Sequence, residues 1–190
     1  MKSSLVFVML VGLLVVTFPK FAECSEAFKV NADILSALKF EGPGSLADRK
    51  YLKLQDGQNF ILPEVGARYI VIEIFSMYCP ICQRDAQVVN QLHDLTLKIP
   101  GLGDKVKFIG IGVGNTPYEV SVFKKKFDVS FPLIADDNLI VQKAVSQSIR
   151  TPTFIVGRIN GDRKLEILFT RVGAIKDAGE FLKELLSAAK

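Results

Sequence analysis

The sequence predicts an α/β fold in which a central mixed β-sheet is flanked by helices on both faces. Two nearly continuous apolar segments, residues 69–75 and 106–113, are typical of strands that are covered on both sides. Segments with helical periodicity follow both of them, and a hairpin pattern near the carboxyl end adds antiparallel strands to a parallel start. With 190 residues, of which 49% are hydrophobic, the chain is long enough for one domain with its own core.

Residues 1–24 are predicted to be a secretory signal peptide. Lys2 gives a positive start, and the apolar segment at 5–18 is shorter than the roughly 20 residues of a spanning helix. Small residues around Cys24 offer a cleavage site, and cleavage after Cys24 leaves an even number of cysteines in the exported chain. Two alternatives stay open: residues 5–18 remain as an uncut membrane anchor, or Cys24 carries a lipid. In each case we expect an exported protein that is periplasmic or otherwise extracytoplasmic.

Residues 25–50 are predicted to lead into the folded domain, which spans residues 51–190. Residues 51–54 have the pattern of a strand that enters a tight Asp-Gly turn at 56–57. Residues 60–62 are expected to form the returning strand. The sequence therefore predicts an N-terminal β-hairpin extension in front of the main sheet.

The remaining elements alternate along the chain. Val88, Leu92 and Ile99 recur at helical spacing after the first long strand. Thr116 followed by Pro117 is a favourable start for the next helix. The predicted elements are a strand at 69–75, a helix at 80–97, a strand at 106–113, a helix at 117–127, a short strand at 131–134, a helix capped by Asp136 and running to 145, strands at 153–156 and 165–172 joined by a turn at 161–162, and a final helix at 174–188.

Cys79 and Cys82 form a Cys-x-x-Cys pair where the buried strand is expected to give way to a helix. Pro80 suits the first helical position, where a missing N–H group has no consequence. A helix N-terminus presents unpaired N–H groups and a partial positive charge, which together stabilise a thiolate. Cys82 lies one turn further along the same face and can attack a mixed disulfide formed at Cys79. The pattern predicts a redox dithiol, with Cys79 as the nucleophile and Cys82 as the resolving thiol.

Other uses of such a pair have less support. A structural zinc site needs two more ligands, and the chain has a single histidine, His93. A purely structural disulfide across so short a loop removes little chain entropy. We therefore expect no metal and no cofactor other than the redox-active disulfide itself. The net charge of +4, with no basic segment that alternates with aromatics, gives no support for nucleic-acid binding.

Glu73 interrupts the apolar strand six positions before Cys79. A carboxylate at that place is desolvated, so its pKa is expected to rise and to suit proton exchange with the nearby thiols. The alternative is a carboxylate at the strand end that reaches solvent or an ion pair. Both interpretations stay open at this point.

These residues resemble the thioredoxin-like superfamily, whose signature is an apolar strand with a buried acid, followed by Cys-x-x-Cys at the start of a helix. Glu73 matches the position of the acid, and Tyr78 replaces the usual tryptophan before the first cysteine. Thr151 and Pro152 match the family's cis-proline pair, which faces the dithiol and receives the substrate chain. The resemblance implies a thioredoxin fold, a cis Pro152, and substrate docking on Tyr78, Thr151 and Pro152.

The leader and the segment before the main strand are similar to the exported branch, the TlpA-like thiol–disulfide oxidoreductases. That resemblance implies a monomer whose partners are disulfide- or dithiol-bearing exported proteins and a membrane redox donor. No histidine lies between the cysteines, so the strong thiolate stabilisation of oxidising relatives is not expected. We therefore expect a reductant or an isomerase-like protein.

Two other functions remain as alternatives. A peroxiredoxin-type thiol peroxidase shares the fold, but its motif has proline at the position of Ile72 and threonine at that of Ser76. Serine could substitute for the threonine, whereas isoleucine could not substitute for the proline. A non-enzymatic Cu(I)-binding module would use the two thiolates, but Met77 is the only methionine nearby. Both alternatives rank behind the oxidoreductase.

Overall fold

The computed structural model describes residues 28–55, 59–145 and 148–189, which form two sheets and the helices around them. The strands are β1 (Phe40–Glu41), β2 (Asn59–Phe60), β3 (Tyr69–Phe75), β4 (Val106–Val113), β5 (Leu133–Asp136), β6 (Thr153–Ile159) and β7 (Leu165–Val172). The α-helices are α1 (Ala32–Ala37), α2 (Leu46–Leu52), α3 (Pro80–Lys98), α4 (Leu102–Lys105), α5 (Pro117–Lys126) and α6 (Ala178–Ala188). Two 3₁₀ helices span Leu62–Glu64 and Ile140–Ala144.

The main sheet has the strand order β5-β4-β3-β6-β7. Strand β3 is parallel to β4, which is parallel to β5, whereas β6 runs antiparallel to both β3 and β7. The predicted mixed sheet is confirmed. Because β3 is the central strand, its carboxyl end at Phe75 lies beside the carboxyl end of β4, and the dithiol follows at that edge.

Helices cover both faces of this sheet, as predicted. All seven residues of β3 are buried, and alternate side chains point to opposite faces. One face packs against α3, α5 and α6, through side chains that include Val89, Phe123 and Phe181. The other face packs against α1, α2 and the two 3₁₀ helices, where Leu35 and Leu52 are buried. The central strand is therefore held between two apolar cores.

The predicted N-terminal hairpin over residues 51–62 is wrong. Tyr51 and Leu52 belong to α2, which begins after Ser45, whose hydroxyl accepts a hydrogen bond from the Asp48 N–H group at 3.4 Å. A four-residue alternation is a weak strand signal, and here the helix cap and the burial of Leu52 in the core prevail.

The antiparallel pair in this region is instead formed by β1 and β2, with Phe40 opposite Phe60. Helix α2 lies between these two short strands in the chain, so they are not joined by a tight turn. The predicted Asp-Gly turn at 56–57 lies outside the described residues, as does the predicted signal peptide at 1–24.

Two predicted helices differ in extent from those observed. The segment capped by Asp136 is the 3₁₀ helix Ile140–Ala144; the carboxylate accepts hydrogen bonds from the N–H groups of Ile140 and Val141 at 2.7 and 3.1 Å. The final helix begins at Ala178 rather than at 174, because Asp177 is its N-cap. Among the residues with a described placement, no helix is both long and apolar enough to cross a membrane.

Tyr51 fastens α2 to the main sheet. Its hydroxyl accepts a hydrogen bond from the Phe108 N–H group at 3.0 Å and lies 3.1 Å from Nε2 of the buried His93. His93 Nδ1 lies 2.8 Å from Ser130 Oγ, and Lys107 Nζ is 4.4 Å from the centre of the Tyr51 ring. Burial lowers the pKa of His93 to about 4, so the imidazole is neutral at pH 7. The histidine is therefore a packing residue of α3.

Replacing Tyr51 with phenylalanine is expected to lower the free energy of unfolding by about 1–3 kcal/mol, because buried polar groups lose a partner. The N–H group of Phe108 and Nε2 of His93 would both be left without the hydroxyl. Tyr118, which is 76% exposed, provides the matched control, and Tyr118→Phe should change stability by less than about 0.5 kcal/mol. Urea unfolding monitored by circular dichroism measures both; equal effects of the two substitutions would contradict the role given to Tyr51.

Candidate active site

The dithiol lies where β3 passes into α3. Cys79 is the N-cap of this 19-residue helix and Pro80 is its first residue, as the spacing predicted. The Cys79 sulfur accepts a hydrogen bond from the Cys82 N–H group at 3.2 Å. Cys79 is partly exposed, whereas Cys82 is fully buried behind it. A partner molecule can therefore reach the first sulfur but not the second.

The two thiols differ in acidity. Burial works to raise the pKa of Cys79, but hydrogen bonds from the Cys82 thiol, the Thr151 side chain and the N–H groups of Cys82 and Ile81 outweigh it, and the pKa falls below its ordinary value. Burial raises the pKa of Cys82 well above its ordinary range, and hydrogen bonding to Cys79 raises it further. The thiolate of the pair therefore resides on the accessible sulfur, Cys79.

Hydrogen bonds from within the turn and from other elements hold the turn that delivers Cys79. The Cys79 N–H group donates to the Ser76 carbonyl at 3.0 Å, which closes the turn. The Met77 N–H group donates to Asn115 Oδ1 at 2.8 Å, and Gln83 Nε2 donates to the Met77 carbonyl at 2.7 Å. Both polar groups of the Met77 backbone are thus bound by side chains from other elements. No local sequence pattern singles out Asn115 or Gln83.

Thr151 and Pro152 lie against the dithiol. The peptide bond between them is cis, and the Thr151 carbonyl oxygen is 3.3 Å from the Cys79 sulfur. The Pro152 carbonyl accepts a hydrogen bond from the Gly173 N–H group at 2.8 Å, which ties the start of β6 to the end of β7. The structure thus brings Cys79, Thr151 and Pro152 together, although they are about 70 residues apart in the chain.

Tyr78 lies on the surface beside Cys79. Its side chain is 65% exposed, and its hydroxyl donates a hydrogen bond to Glu119 in the first turn of α5. Glu119 also accepts a hydrogen bond from the Thr116 N–H group at 2.7 Å, so the carboxylate is fixed in a capping box. The ring is therefore oriented at the rim of the dithiol, and its role in docking stays a prediction.

Glu73 is buried in the middle of β3, opposite Gly110 of β4 and Phe154 of β6. The side chain is 4% exposed, and within the described parts of the chain its Oε1 atom has no hydrogen-bond partner. Burial, the charge of Asp85 and the charge of Cys79 raise its pKa to about 8. Of the two interpretations left open, a desolvated carboxyl near the thiols fits this placement, whereas a solvated strand end does not.

Asp85 is a second buried acid that the sequence analysis missed. It lies on α3 one turn after Cys82, and its Oδ2 atom accepts a hydrogen bond from the Ile175 N–H group at 3.0 Å. Burial is the main cause of its raised pKa. A signal existed in the sequence, because Asp85 shares the buried stripe of α3 with Val89 and Leu92, where an acid is unusual.

The structure also shows the two positions on which the peroxidase alternative depends, Ile72 and Ser76, and whether the described side chains could hold a metal ion. Ile72 is fully buried in β3. The Ser76 hydroxyl lies 3.4 Å from both the Tyr78 N–H group and Asn115 Nδ2. Among the described contacts, it makes no hydrogen bond with Cys79. Across residues 28–55, 59–145 and 148–189, no group of three or more histidine, cysteine, aspartate or glutamate side chains could hold a metal ion. That no cofactor is needed stays a prediction.

Similar sequences and structures occur among known thiol–disulfide oxidoreductases. The thiol-disulfide oxidoreductase ResA of Geobacillus thermodenitrificans is 22% identical over 142 residues, which cover 75% of this chain and 77% of ResA. A putative thiol:disulfide interchange protein DsbE from Chlorobium tepidum has a TM-score of 0.60 at 14% identity and covers 85% of this chain and 98% of its own. A secreted disulfide oxidoreductase of Mycobacterium tuberculosis has a TM-score of 0.57 at 15% identity, with coverages of 82% and 98%.

These likenesses confirm the thioredoxin fold and the prediction of a thioredoxin-like, TlpA-type thiol–disulfide oxidoreductase. The match to the family described as Redoxin extends over residues 18–175. Because this match includes the central sheet as far as β7, the dithiol and the Thr151–Pro152 pair, the chain belongs to the Redoxin family.

Proposed function

We propose that this thiol–disulfide oxidoreductase acts as a reductant of disulfides in exported protein partners. The observation that carries the proposal is the asymmetry of the dithiol. Cys79 is accessible and its pKa is lowered, while Cys82 is buried directly behind it with a raised pKa. Such a pair can attack a partner disulfide with one sulfur and release the partner with the other.

The reaction has two steps in which electrons and protons balance. The Cys79 thiolate attacks a partner disulfide, forms a mixed disulfide and expels one partner thiolate, which then takes up a proton. Cys82 then loses its proton and attacks the Cys79 sulfur, so that the mixed disulfide breaks and the second partner sulfur leaves as a thiolate. Two electrons pass to the partner, and Cys79 and Cys82 are left joined as a disulfide. Glu73 is the proposed acceptor of the Cys82 proton, because it is buried nearby with a pKa of about 8.

The proposed direction of electron flow is supported by how the Cys79 thiolate is stabilised. The groups that lower the pKa of Cys79 are a thiol, the Thr151 side chain and two backbone N–H groups, all of which are uncharged. Strongly oxidising members of this class have a much more stabilised thiolate, which favours their reduced form. Because no charged group among the described residues stabilises the Cys79 thiolate, the proposal is that the disulfide form is favoured and that the reduced protein gives its electrons away.

The location and partners of the protein are proposed from the sequence. The apolar segment at 5–18 and the small residues around Cys24 support export, with membrane anchoring through residues 5–18 as the alternative. A membrane redox donor would reduce the disulfide after each turnover, and the protein would work as a monomer. Partner chains would dock on Tyr78, Thr151 and Pro152; Tyr78 is exposed and precedes Cys79 in the chain, and the Thr151 carbonyl oxygen is 3.3 Å from the Cys79 sulfur.

The reduction potential of the Cys79–Cys82 couple tests the proposed direction. Equilibration of the purified protein with thiol–disulfide buffers should give a value near that of thioredoxin, about −270 mV. A value near −120 mV would instead assign an oxidant. A peroxidase would be recognised by rapid consumption of peroxide with formation of a sulfenic acid on Cys79, which we do not expect.

Replacing Cys82 with serine is expected to trap the intermediate. The first attack leaves Cys79 joined to the partner, and the serine hydroxyl does not complete the exchange because it is a far weaker nucleophile than a thiolate. Non-reducing electrophoresis of the variant after incubation with a disulfide-bearing protein should show a mixed-disulfide adduct. Dithiothreitol should cleave this adduct. In the control variant that also carries Cys79→Ser the adduct should be absent; its persistence there would place the reactive sulfur elsewhere.

A further inference from the structure

Asn115 is fully buried next to the dithiol, in the connection between β4 and α5. Its Oδ1 atom accepts a hydrogen bond from the Met77 N–H group at 2.8 Å, and its Nδ2 atom lies 3.4 Å from Ser76 Oγ. The backbone N–H group of Asn115 donates to the Gly112 carbonyl at 3.1 Å, which fixes the side chain at its base. A buried amide is unfavourable unless it is hydrogen-bonded, and here both ends of the amide have a partner.

The end of β4 leaves room for this amide. Gly112 lies opposite Phe75, the last residue of β3. A Cβ atom at position 112 would lie 2.9 Å from Val120 Cγ2, 3.1 Å from Phe75 Cζ and 3.2 Å from Asn115 Oδ1. These contacts are too close for an ordinary side chain, so the glycine is what admits the Asn115 amide to the end of β3.

The residue that Asn115 binds precedes Cys79 by two positions. Because Gln83 binds the Met77 carbonyl, the peptide groups on both sides of Met77 are fixed, one by the β4–α5 connection and one by α3. The closed turn from Ser76 to Cys79 then leaves little freedom for the Cys79 sulfur. Its contact with the Cys82 N–H group at 3.2 Å depends on that placement.

We infer that Asn115 is a positioning residue, which acts through Met77 to hold the Cys79 sulfur against the first N–H groups of α3. The inference rests on the proposed function, because it concerns how the same dithiol is kept reactive. Asn115 itself touches neither sulfur in the described contacts, so its effect is on the acidity of Cys79 and not on the chemistry of exchange.

The test is the pH dependence of Cys79 alkylation by iodoacetamide in Asn115→Ala and Asn115→Ser. Neither side chain reaches the Met77 N–H group, and serine keeps a polar atom in the space. We expect the alkylation rate at pH 7 to fall by about three- to tenfold, the equivalent of one lost hydrogen bond, with the midpoint of the pH profile moved upward. The reduction potential should become more negative in the same variants, because the thiolate of the reduced form is less stabilised.

Asn90 provides the matched control. It lies on α3 far from Cys79, and its Nδ2 atom donates to the carbonyl groups of Phe127 and Asp128, both at 3.1 Å. Asn90→Ala should lower stability while leaving the alkylation profile of Cys79 unchanged. A folded Asn115 variant with the wild-type profile, or equal shifts in the Asn90 and Asn115 variants, would overturn the inference. Failure of the proposed function would look different, because wild-type Cys79 would then show no thiolate reactivity near neutral pH.

Gln83→Ala provides a second measurement if the Asn115 variants fold poorly. It removes the other hydrogen bond to Met77 from a partly buried position on α3. If Met77 is the link, this variant should shift the alkylation profile in the same direction as the loss of Asn115. An unchanged profile in Gln83→Ala would show that the Met77 backbone does not set the acidity of Cys79.

Discussion

Replacing Cys79 with serine should abolish disulfide exchange. The thiolate is the nucleophile, and the other described thiol, Cys82, is buried with a strongly raised pKa. Since each pKa unit reduces the thiolate fraction tenfold, Cys82 cannot take over, and turnover should fall by at least about a thousandfold. Reduction of insulin disulfides in the presence of dithiothreitol measures this loss.

The control for this experiment is Cys82→Ser, which keeps the attacking sulfur. It should give a single stoichiometric burst of mixed disulfide without turnover, whereas Cys79→Ser should give neither. Substantial turnover in Cys79→Ser would defeat the assignment of the nucleophile and, with it, the order of the two steps.

Replacing Glu73 with glutamine should slow the resolving step by about a hundredfold and leave the first attack nearly unchanged, since general base catalysis typically contributes 10²–10⁴-fold. Glutamine has nearly the same shape but cannot accept the Cys82 proton. In the wild type the carboxyl has a pKa of about 8, so the resolving rate should rise with pH below 8 and level off above it. In the variant this rise should disappear. Stopped-flow measurement of both steps separates them, and equal slowing of the two steps would show that Glu73 has only a structural role.

The same carboxyl links stability to pH. Its pKa is raised in the folded state to about 8 from an ordinary value of 4.5, so the folded protein holds a proton that the unfolded chain releases. The stabilising contribution is complete below pH 4.5 and is lost as the pH rises towards 8. Urea unfolding at several pH values should therefore show that the wild type loses stability relative to Glu73→Gln across this range.

Asp85→Asn is the matched control for Glu73. Asp85 is also buried, but its carboxylate is bound to the Ile175 N–H group, and its charge is one cause of the raised pKa of Glu73. Removing that charge should move the midpoint of the resolving rate to lower pH without lowering the plateau. A lost plateau in Asp85→Asn would indicate that the proton passes through Asp85 instead.

The elements that carry the chemistry could be predicted because their signals are local. An unbroken apolar segment followed by Cys79 and Pro80 specifies a buried strand that ends at a helix cap, and this is the arrangement observed. Glu73 was noticeable for the same reason, since a charge within an apolar strand stands out. The cis geometry of Pro152 came only from the family resemblance, because an X–Pro bond is cis in about 5–6% of cases and no local pattern indicates it.

The parts that were missed depend on contacts between distant residues. Asp85 is bound by Ile175, which is 90 residues away, and Asn115 is bound by Met77, which is 38 residues away. No periodicity within a segment reports such partners. The helical conformation at Tyr51 was missed for a related reason, since the burial of Leu52 in the core and the hydrogen bond from Phe108 to the Tyr51 hydroxyl are both tertiary contacts.

The segment before β3 has a consequence for how the protein can be divided. Leu35, Phe40 and Leu52 are buried against the face of the sheet that carries Ile70 and Ile72. A recombinant fragment that begins just before β3 would expose the apolar face that carries Ile70 and Ile72 to water and would be prone to aggregate. The segment at 35–62 is thus part of one of the two apolar cores, and any shortened version of the protein would have to keep it.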